Sequence, residues 1–286
     1  MATKMKLGNL DIFVLSDGLF RLDGGAMFGV VPRVLWEKSD PPDEKNRILM
    51  GLNCLLVIRG KEKILIDTGI GDKFDAKFGG MFSVQREKTL LDQLADLSLQ
   101  PEDITHVIMS HMHFDHIGWN TRRNAAGEIA PTFPHATYFA QRGEYEAANH
   151  PDERSRASYL KWNWEALEKS GQLQLLDGTC EVLPGIESFL APGHTLYHTI
   201  VKVKSAGKTA AFMADLVPTT SHLKTAYVMG YDLYPKLTME NKPKILQQAF
   251  EEKWLLIFEH APRIKAGYLQ QAAEGNWKVE QIKLDT

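Results

Sequence analysis

The stretch Ser110-His111-Met112-His113-Phe114-Asp115-His116-Ile117-Gly118 places three histidines and one aspartate within six consecutive positions, in the order His-x-His-x-Asp-His. Imidazole nitrogen and carboxylate oxygen are the ligands expected for zinc, with iron, manganese or cobalt as further candidates. The spacing suits two ions better than one. In an extended loop, residues two apart face the same side, so His111 and His113 can grip one ion. Asp115 and His116 follow on the turn and can grip a neighbour. A histidine-rich surface loop that picks up metal incidentally is the plainer alternative. The flanks argue against it, because Ile104 to Met109 reads as a buried strand feeding the loop and Ile117-Gly118 closes it tightly.

Elements that could position such a loop recur along the chain. Leu10 to Leu15 reads as a strand ending at an Asp17-Gly18 turn. Leu52 to Ile58 and Lys63 to Ile66 read as a hairpin of buried strands, the second running into Asp67-Thr-Gly-Ile-Gly71. That glycine turn lacks the lysine and serine of a phosphate loop, so a nucleotide site is rejected. Thr89 to Leu97 puts four leucines on one helical face, and Pro101 stops it. Ala136 to Ala140 reads as a strand and Arg142 to Ala148 as a polar helix. Arg154 to Ser170 reads as a helix carrying Tyr159, Trp162 and Trp164, with core packing preferred over ligand stacking. Short strands follow at 173–176, 181–183 and 186–190, and a hairpin turns at Ala206-Gly207. Lys244 to Lys253 reads as a helix with Pro243 in its first turn, before a buried strand from Trp254 to Phe258.

Each of these strand ends delivers a polar residue: Asp67, the His111 to His116 loop, His194, Asp215 and His260. Loops converge at the carboxyl ends of strands in layered α/β proteins, so the coincidence points to one site. The segment 20–48 is different. Gly24-Gly25 and Pro41-Pro42 argue against a single regular element, yet Met27, Phe28, Val30, Leu35 and Trp36 cannot stay solvated. They must bury against the body, a ligand or a second subunit.

Composition narrows the partners. The net charge of −3 gives no reason to expect nucleic acid or an anionic membrane. The cysteines, Cys54 and Cys180, form no Cys-x-x-Cys pair, so thiolate zinc and dithiol redox chemistry are both unsupported. No apolar leader or membrane span is evident, and a cytoplasmic protein of one domain, 1–286, is expected.

With these residues in order, the sequence resembles the metallo-β-lactamase superfamily across nearly its whole length. The motifs are Asp67-Thr-Gly69, His111 to His116, Pro192-Gly-His194-Thr195, Asp215 and His260. Within it, the sequence resembles the N-acyl-homoserine lactonases of the YtnP-like branch, through Asp23 to Pro32 with Leu35-Trp36, Met213 to Pro218 and Tyr231-Asp-Leu-Tyr-Pro235. The resemblance implies an αβ/βα four-layer sandwich in the α/β class. It assigns His111, His113 and His194 to one metal, Asp115, His116 and His260 to another, and Asp215 as the bridge. Asp67 and His198 would act behind the ligands. Two such ions bring a shared water to a pKa of about 7, so that a bridging hydroxide attacks a lactone carbonyl with Asp115 as proton shuttle.

The implied substrate is an N-acyl-homoserine lactone or a related lactone, with aryl esters or organophosphate triesters as the alternative on the same site. Met27, Phe28, Trp36, His222 and Tyr231 are candidates for the substrate pocket, and segment 20–48 is a pocket wall or a homodimer element. One departure stands out: lactonases of this type carry a tyrosine three residues after the bridging aspartate, where this chain has Pro218. Tyr227, Tyr231, Tyr234 and His222 are its candidate replacements.

Overall fold

The unbroken apolar run Cys54 to Ile58 demands cover on both faces, and the architecture supplies it. The structure is a computed structural model that describes residues 2–272 and 276–282. Its first half contains β1 (Thr3–Leu7), β2 (Leu10–Asp23), α1 (Gly24–Phe28), α2 (Arg33–Trp36), β3 (Arg47–Arg59), β4 (Glu62–Ile66), α3 (Ala76–Met81), α4 (Leu90–Asp96) and β5 (His106–Ile108). There follow a two-stranded ribbon of β6 (Thr121–Arg123) and β7 (Ile129–Pro131), then β8 (Thr137–Gln141), α5 (Arg142–Asn149), α6 (Glu165–Ser170) and β9 (Leu173–Leu176). One mixed sheet runs β1-β2-β3-β4-β5-β8-β9. The other runs in chain order through β10 (Cys180–Leu183), β11 (Ile186–Leu190), β12 (Thr199–Ser205), β13 (Lys208–Phe212), β14 (Leu255–Ile257), β15 (Ala266–Gln271) and β16 (Trp277–Gln281). The long helix α7 (Pro235–Glu251) connects β13 to β14.

Alternation along β3 assigns the layers. Leu55 and Val57 face the second sheet and pack with Val201, Phe212 and Ile257. Cys54 and Leu56 point the other way, onto Leu90 and Leu94 of α4 and Leu167 of α6. On the far side, Ile245, Leu246 and Ala249 of α7 cover Ile200, Ala211 and Leu256. The order is helix, sheet, sheet, helix, the αβ/βα sandwich. Burying each of these aliphatic side chains contributes about 1.5–3 kcal/mol.

Three expectations fail, each for a physical reason. The strand from Leu10 continues to Asp23 instead of ending at Asp17-Gly18, and its register shifts between Ser16 and Leu19. The irregularity accompanies a fully buried Asp17 carboxylate that accepts from the amides of Ile70, Gly71 and Leu90, from Trp119 Nε1 and from Arg86. The region 154–170 is not one helix but two 3₁₀ turns followed by α6. Backbone carbonyls that a longer helix would consume are engaged elsewhere: Ser158 accepts from the Phe114 amide and Trp162 from Thr121 Oγ1. Trp164 is core while Trp162 is exposed. Finally, α7 begins at Pro235 and holds Pro243 in its interior. An interior proline costs about 3 kcal/mol; buried Thr238, Lys242, Ile245, Leu246 and Ala249 give the helix a packed face that offsets it.

Candidate metal centre

Asp67, the His111 to His116 loop, His194, Asp215 and His260 follow β4, β5, β11, β13 and β14. β4 and β5 are parallel neighbours in one sheet, as β13 and β14 are in the other, so the loops meet at one edge of the sandwich. The loops are pressed together there. Gly118 lies so close to the 67–71 turn that an added Cβ would fall 1.9 Å from the Ile70 carbonyl carbon. Asp67 itself sits at φ 53°, a left-handed conformation uncommon for a residue with a side chain. Its carboxylate accepts from the Ser110 amide at 2.7 Å and the Ser110 hydroxyl at 2.5 Å, and lies 2.9 Å from His116 Nδ1.

Three groups of potential ligand atoms result among the described residues, one of them Asp67, His116 and Glu259 behind the other two. Of those two, His111, His113, His194 and Asp215 form one, and Asp115, His116 and His260 the other, with the atoms of each within 4.8 Å of one another. Asp215 faces both. Its Oδ2 lies 3.0 Å from His194 Nε2, 3.5 Å from His116 Nε2 and 3.7 Å from His111 Nε2, while Oδ1 lies 3.2 Å from His260 Nε2. Asp115 Oδ2 is 3.7 Å from His260 Nε2.

The opposite nitrogen of most rings is held from behind, which fixes the face each presents. His111 Nδ1 meets Ser110 Oγ at 3.1 Å, His194 Nδ1 meets Asp232 Oδ1 at 3.1 Å, and His260 Nδ1 meets the Gly51 carbonyl at 2.9 Å. His116 Nδ1 meets Asp67 and, at 2.7 Å, Glu259 Oε2. His198 donates from Nδ1 to the Ala191 carbonyl and accepts the Asp215 amide on Nε2, each at 3.1 Å, so it steadies the backbone of Asp215.

Electrostatics follow from burial. Desolvation, then the neighbouring imidazoles, push His111 and His113 well below the usual histidine range. Burial acts likewise on His116, but the Glu259, Asp215 and Asp115 carboxylates outweigh it and hold that ring well above. The same contest raises His194 to about 10, through Asp215 and Asp232, and His260 to about 9, through Asp215 and Glu259. Burial would raise Asp215, yet His194, His260 and His116 hold it well below the carboxylate range. Burial lowers His198 to about 3.

Metal ions fit this donor set. His111 Nε2, His116 Nε2 and Asp215 Oδ1 are buried and have no hydrogen-bond partner, a costly arrangement for polar atoms. All three belong to the converging clusters. The donors are imidazoles and carboxylates, the set expected for zinc and its neighbours.

Above the clusters lies a cavity of about 480 Å³. Its floor includes His113, Asp115, His194, Asp215 and His260; Leu22, Met27, Phe82, Phe114, Met229 and Leu233 form apolar walls. Tyr231 lines it too, its phenol raised to about 12 by burial and then by Asp23 and Asp115. Three other pocket candidates lie elsewhere. Phe28 and Trp36 are fully buried and stacked on each other at 5.2 Å, behind Met27 rather than on the cavity. His222 stacks on Phe28 at 4.6 Å with both nitrogens engaged, Nδ1 by Thr219 Oγ1 and Nε2 by the Met27 carbonyl. Tyr227 packs edge-on against Phe28, and neither it nor Tyr234 lines the cavity. Of the four candidate replacements for the absent tyrosine, only Tyr231 does.

Glu144, Asp232 and Glu259 escaped the sequence reading. Asp232 stood inside a quoted motif, and Glu259 directly before His260. For Glu259, its place directly before a metal-ligand candidate is the available signal.

Residues 49–260 match the Metallo-beta-lactamase superfamily. An N-acyl homoserine lactonase of Bacillus sp. is 26% identical over 219 residues, covering 72% of this chain and 80% of that protein. A probable metal-dependent hydrolase from Staphylococcus aureus superposes with a TM-score of 0.88 at 32% identity, covering 98% of this chain and 100% of that one. AidC, a dizinc quorum-quenching lactonase solved with a product, shares the fold at a TM-score of 0.79 and 24% identity, over 99% and 98% of the two chains. Because the match over residues 49–260 spans most of its length, this chain belongs to the metallo-β-lactamase superfamily.

Proposed function

We propose that this metal-dependent hydrolase opens lactone rings, with an N-acyl homoserine lactone or a related lactone as substrate. The observation that carries the reading is the pair of ligand clusters sharing Asp215 on the floor of an apolar-walled cavity. The lactonase relatives support it at the level of reaction class. His111, His113 and His194 would hold one ion, Asp115, His116 and His260 the second, and Asp215 both; zinc is the first choice for such a set. Two ions so placed supply Lewis acidity and bring the pKa of water down to about 7.

The chain's own groups do the rest. Asp215 keeps the two clusters in register, and Asp67, Asp232 and His198 keep the ligands aimed. Water adds to the ring carbonyl carbon, the carbon–oxygen bond of the ring breaks, and Asp115 carries the proton from that water to the departing ring oxygen. Tyr231 offers its phenol to the carbonyl or leaving oxygen in place of the tyrosine absent at Pro218. The apolar walls take the acyl tail, where each buried methylene contributes about 0.8 kcal/mol.

A panel of lactones, aryl esters and phosphotriesters, read by mass spectrometry, tests the assignment. The expected product of an acyl-homoserine lactone is the ring-opened hydroxy acid with its amide intact. Free fatty acid plus homoserine lactone would mean an acylase. Turnover confined to aryl esters or phosphotriesters would move the substrate class while leaving the metal site in place. Tyr231→Phe should lower kcat while leaving metal content at the wild-type level.

A further inference from the structure

Glu144 lies on α5, outside every ligand loop and off the cavity wall, and is almost completely buried. No ion pair to it is present among the described residues. Its carboxylate instead gathers three donors. Oε1 accepts from the Met112 amide at 3.2 Å and from the Tyr159 hydroxyl at 2.9 Å, and Oε2 accepts from Thr195 Oγ1 at 2.6 Å. A carboxylate buried without a cation is costly even when hydrogen-bonded, and an apolar residue would serve packing alone better.

The three donors share one property. Met112 sits between His111 and His113, Thr195 follows His194, and the Tyr159 ring lies edge-on to His113 at 4.9 Å. Every one of them adjoins a ligand of the first cluster, and none adjoins Asp115, His116 or His260. The same helix start meets the His194 loop a second time. Tyr197 packs so closely on Gly143 that an added Cβ would fall 2.3 Å from its ring.

We propose that Glu144 is a positioning residue of the His111–His113–His194 cluster, locking two loops from different sheets into one ligand geometry. The inference rests on the metal reading above and adds an asymmetry to it. Glu259 braces the second cluster through His116, and Asp67 touches His116 directly and His111 through Ser110, whereas Glu144 braces the first cluster alone, through the backbone and hydroxyl beside its ligands. Removing it loosens one ion and spares the other.

The test strips the purified protein of metal and titrates zinc back against a chromophoric chelator, for wild type, Glu144→Ala, Glu144→Gln and Thr195→Val. Loss of an outer partner typically costs about 10–100-fold in metal affinity, and that range is expected for one of the two ions in Glu144→Ala. The isosteric Glu144→Gln, which keeps an acceptor for Met112, should lose less, and Thr195→Val less again. Anomalous scattering at the zinc edge, from crystals of Glu144→Gln grown at limiting zinc, should show occupancy lost at His111–His113–His194 and kept at the other cluster. Equal weakening of both ions, or a lower melting temperature of the metal-free protein with zinc affinity unchanged, overturns the role of Glu144. Wild-type protein that takes up no zinc overturns the metal reading itself, a separate outcome.

Discussion

The candidate metal centre and the apolar cluster of the neighbouring segment 20–48 are both buried, but by opposite means. The centre is a polar cavity floor in which most ligand rings have their rear nitrogen fixed by a hydrogen bond, and Asp17, Asp67, Glu144, Asp232 and Glu259 are carboxylates hidden from water. The segment buries apolar side chains: Phe20, Met27, Phe28, Trp36 and Ile48 pack into one cluster, with Val30, Val34 and Leu35 left facing out. Directional bonds define geometry at the cost of desolvation, while apolar packing supplies stability without fixing a reacting atom. The contrast predicts that substitutions in the two regions fail differently.

The largest effect is expected at the bridge. Asp215→Ala should reduce turnover by several orders of magnitude and leave fewer than two ions per chain by elemental analysis. Near-normal turnover would show that the two clusters work independently. In the segment, Phe28→Ala should cost about 3–5 kcal/mol of stability, seen as a lower melting temperature with metal content unchanged. Its effect on substrates should be the same for every acyl length, because Phe28 stands behind the cavity wall. Met27→Ala also loses stability, but it should weaken long-chain lactones more than short ones. Were Phe28→Ala the one to shift chain-length preference, the wall would have been placed one residue off.

The smallest effect concerns pH. His222 is held neutral, burial lowering it to about 4 against an unfolded value of 6.5. Between those values the unfolded chain binds a proton that the folded chain refuses, so this histidine's contribution is intact above pH 6.5 and lost as pH falls toward 4. His222→Gln should give a shallower acid limb in melting temperature than wild type. Identical limbs would show that His222 protonates in the folded protein.

Much of the candidate ligand set was legible because its information is local. A His-x-His-x-Asp-His run on a strand exit constrains its own geometry, and Asp67, His194, Asp215 and His260 each sat one to four residues beyond an apolar run. The buried carboxylates Glu144 and Asp17 were not legible. Glu144 reads in sequence as one more charge on a polar helix, and Asp17 as a turn residue. Only burial distinguishes them from solvated neighbours, and their partners lie far along the chain: 51 residues for Glu144 to Thr195 and 102 for Asp17 to Trp119.

The sequence by itself determined that apolar runs would end in a set of nitrogen and oxygen donors, since ligand chemistry and strand periodicity are properties of neighbouring residues. The tertiary structure decided which side chain of an apolar segment reaches the cavity. Met27 and Phe28 are adjacent and equally apolar; a turn of helix α1 points one toward the metal floor and the other into the Trp36 and His222 stack. Successive residues on a helix are about 100° apart, and only the packing of that helix against the loop around Met229 selects the direction that faces the substrate.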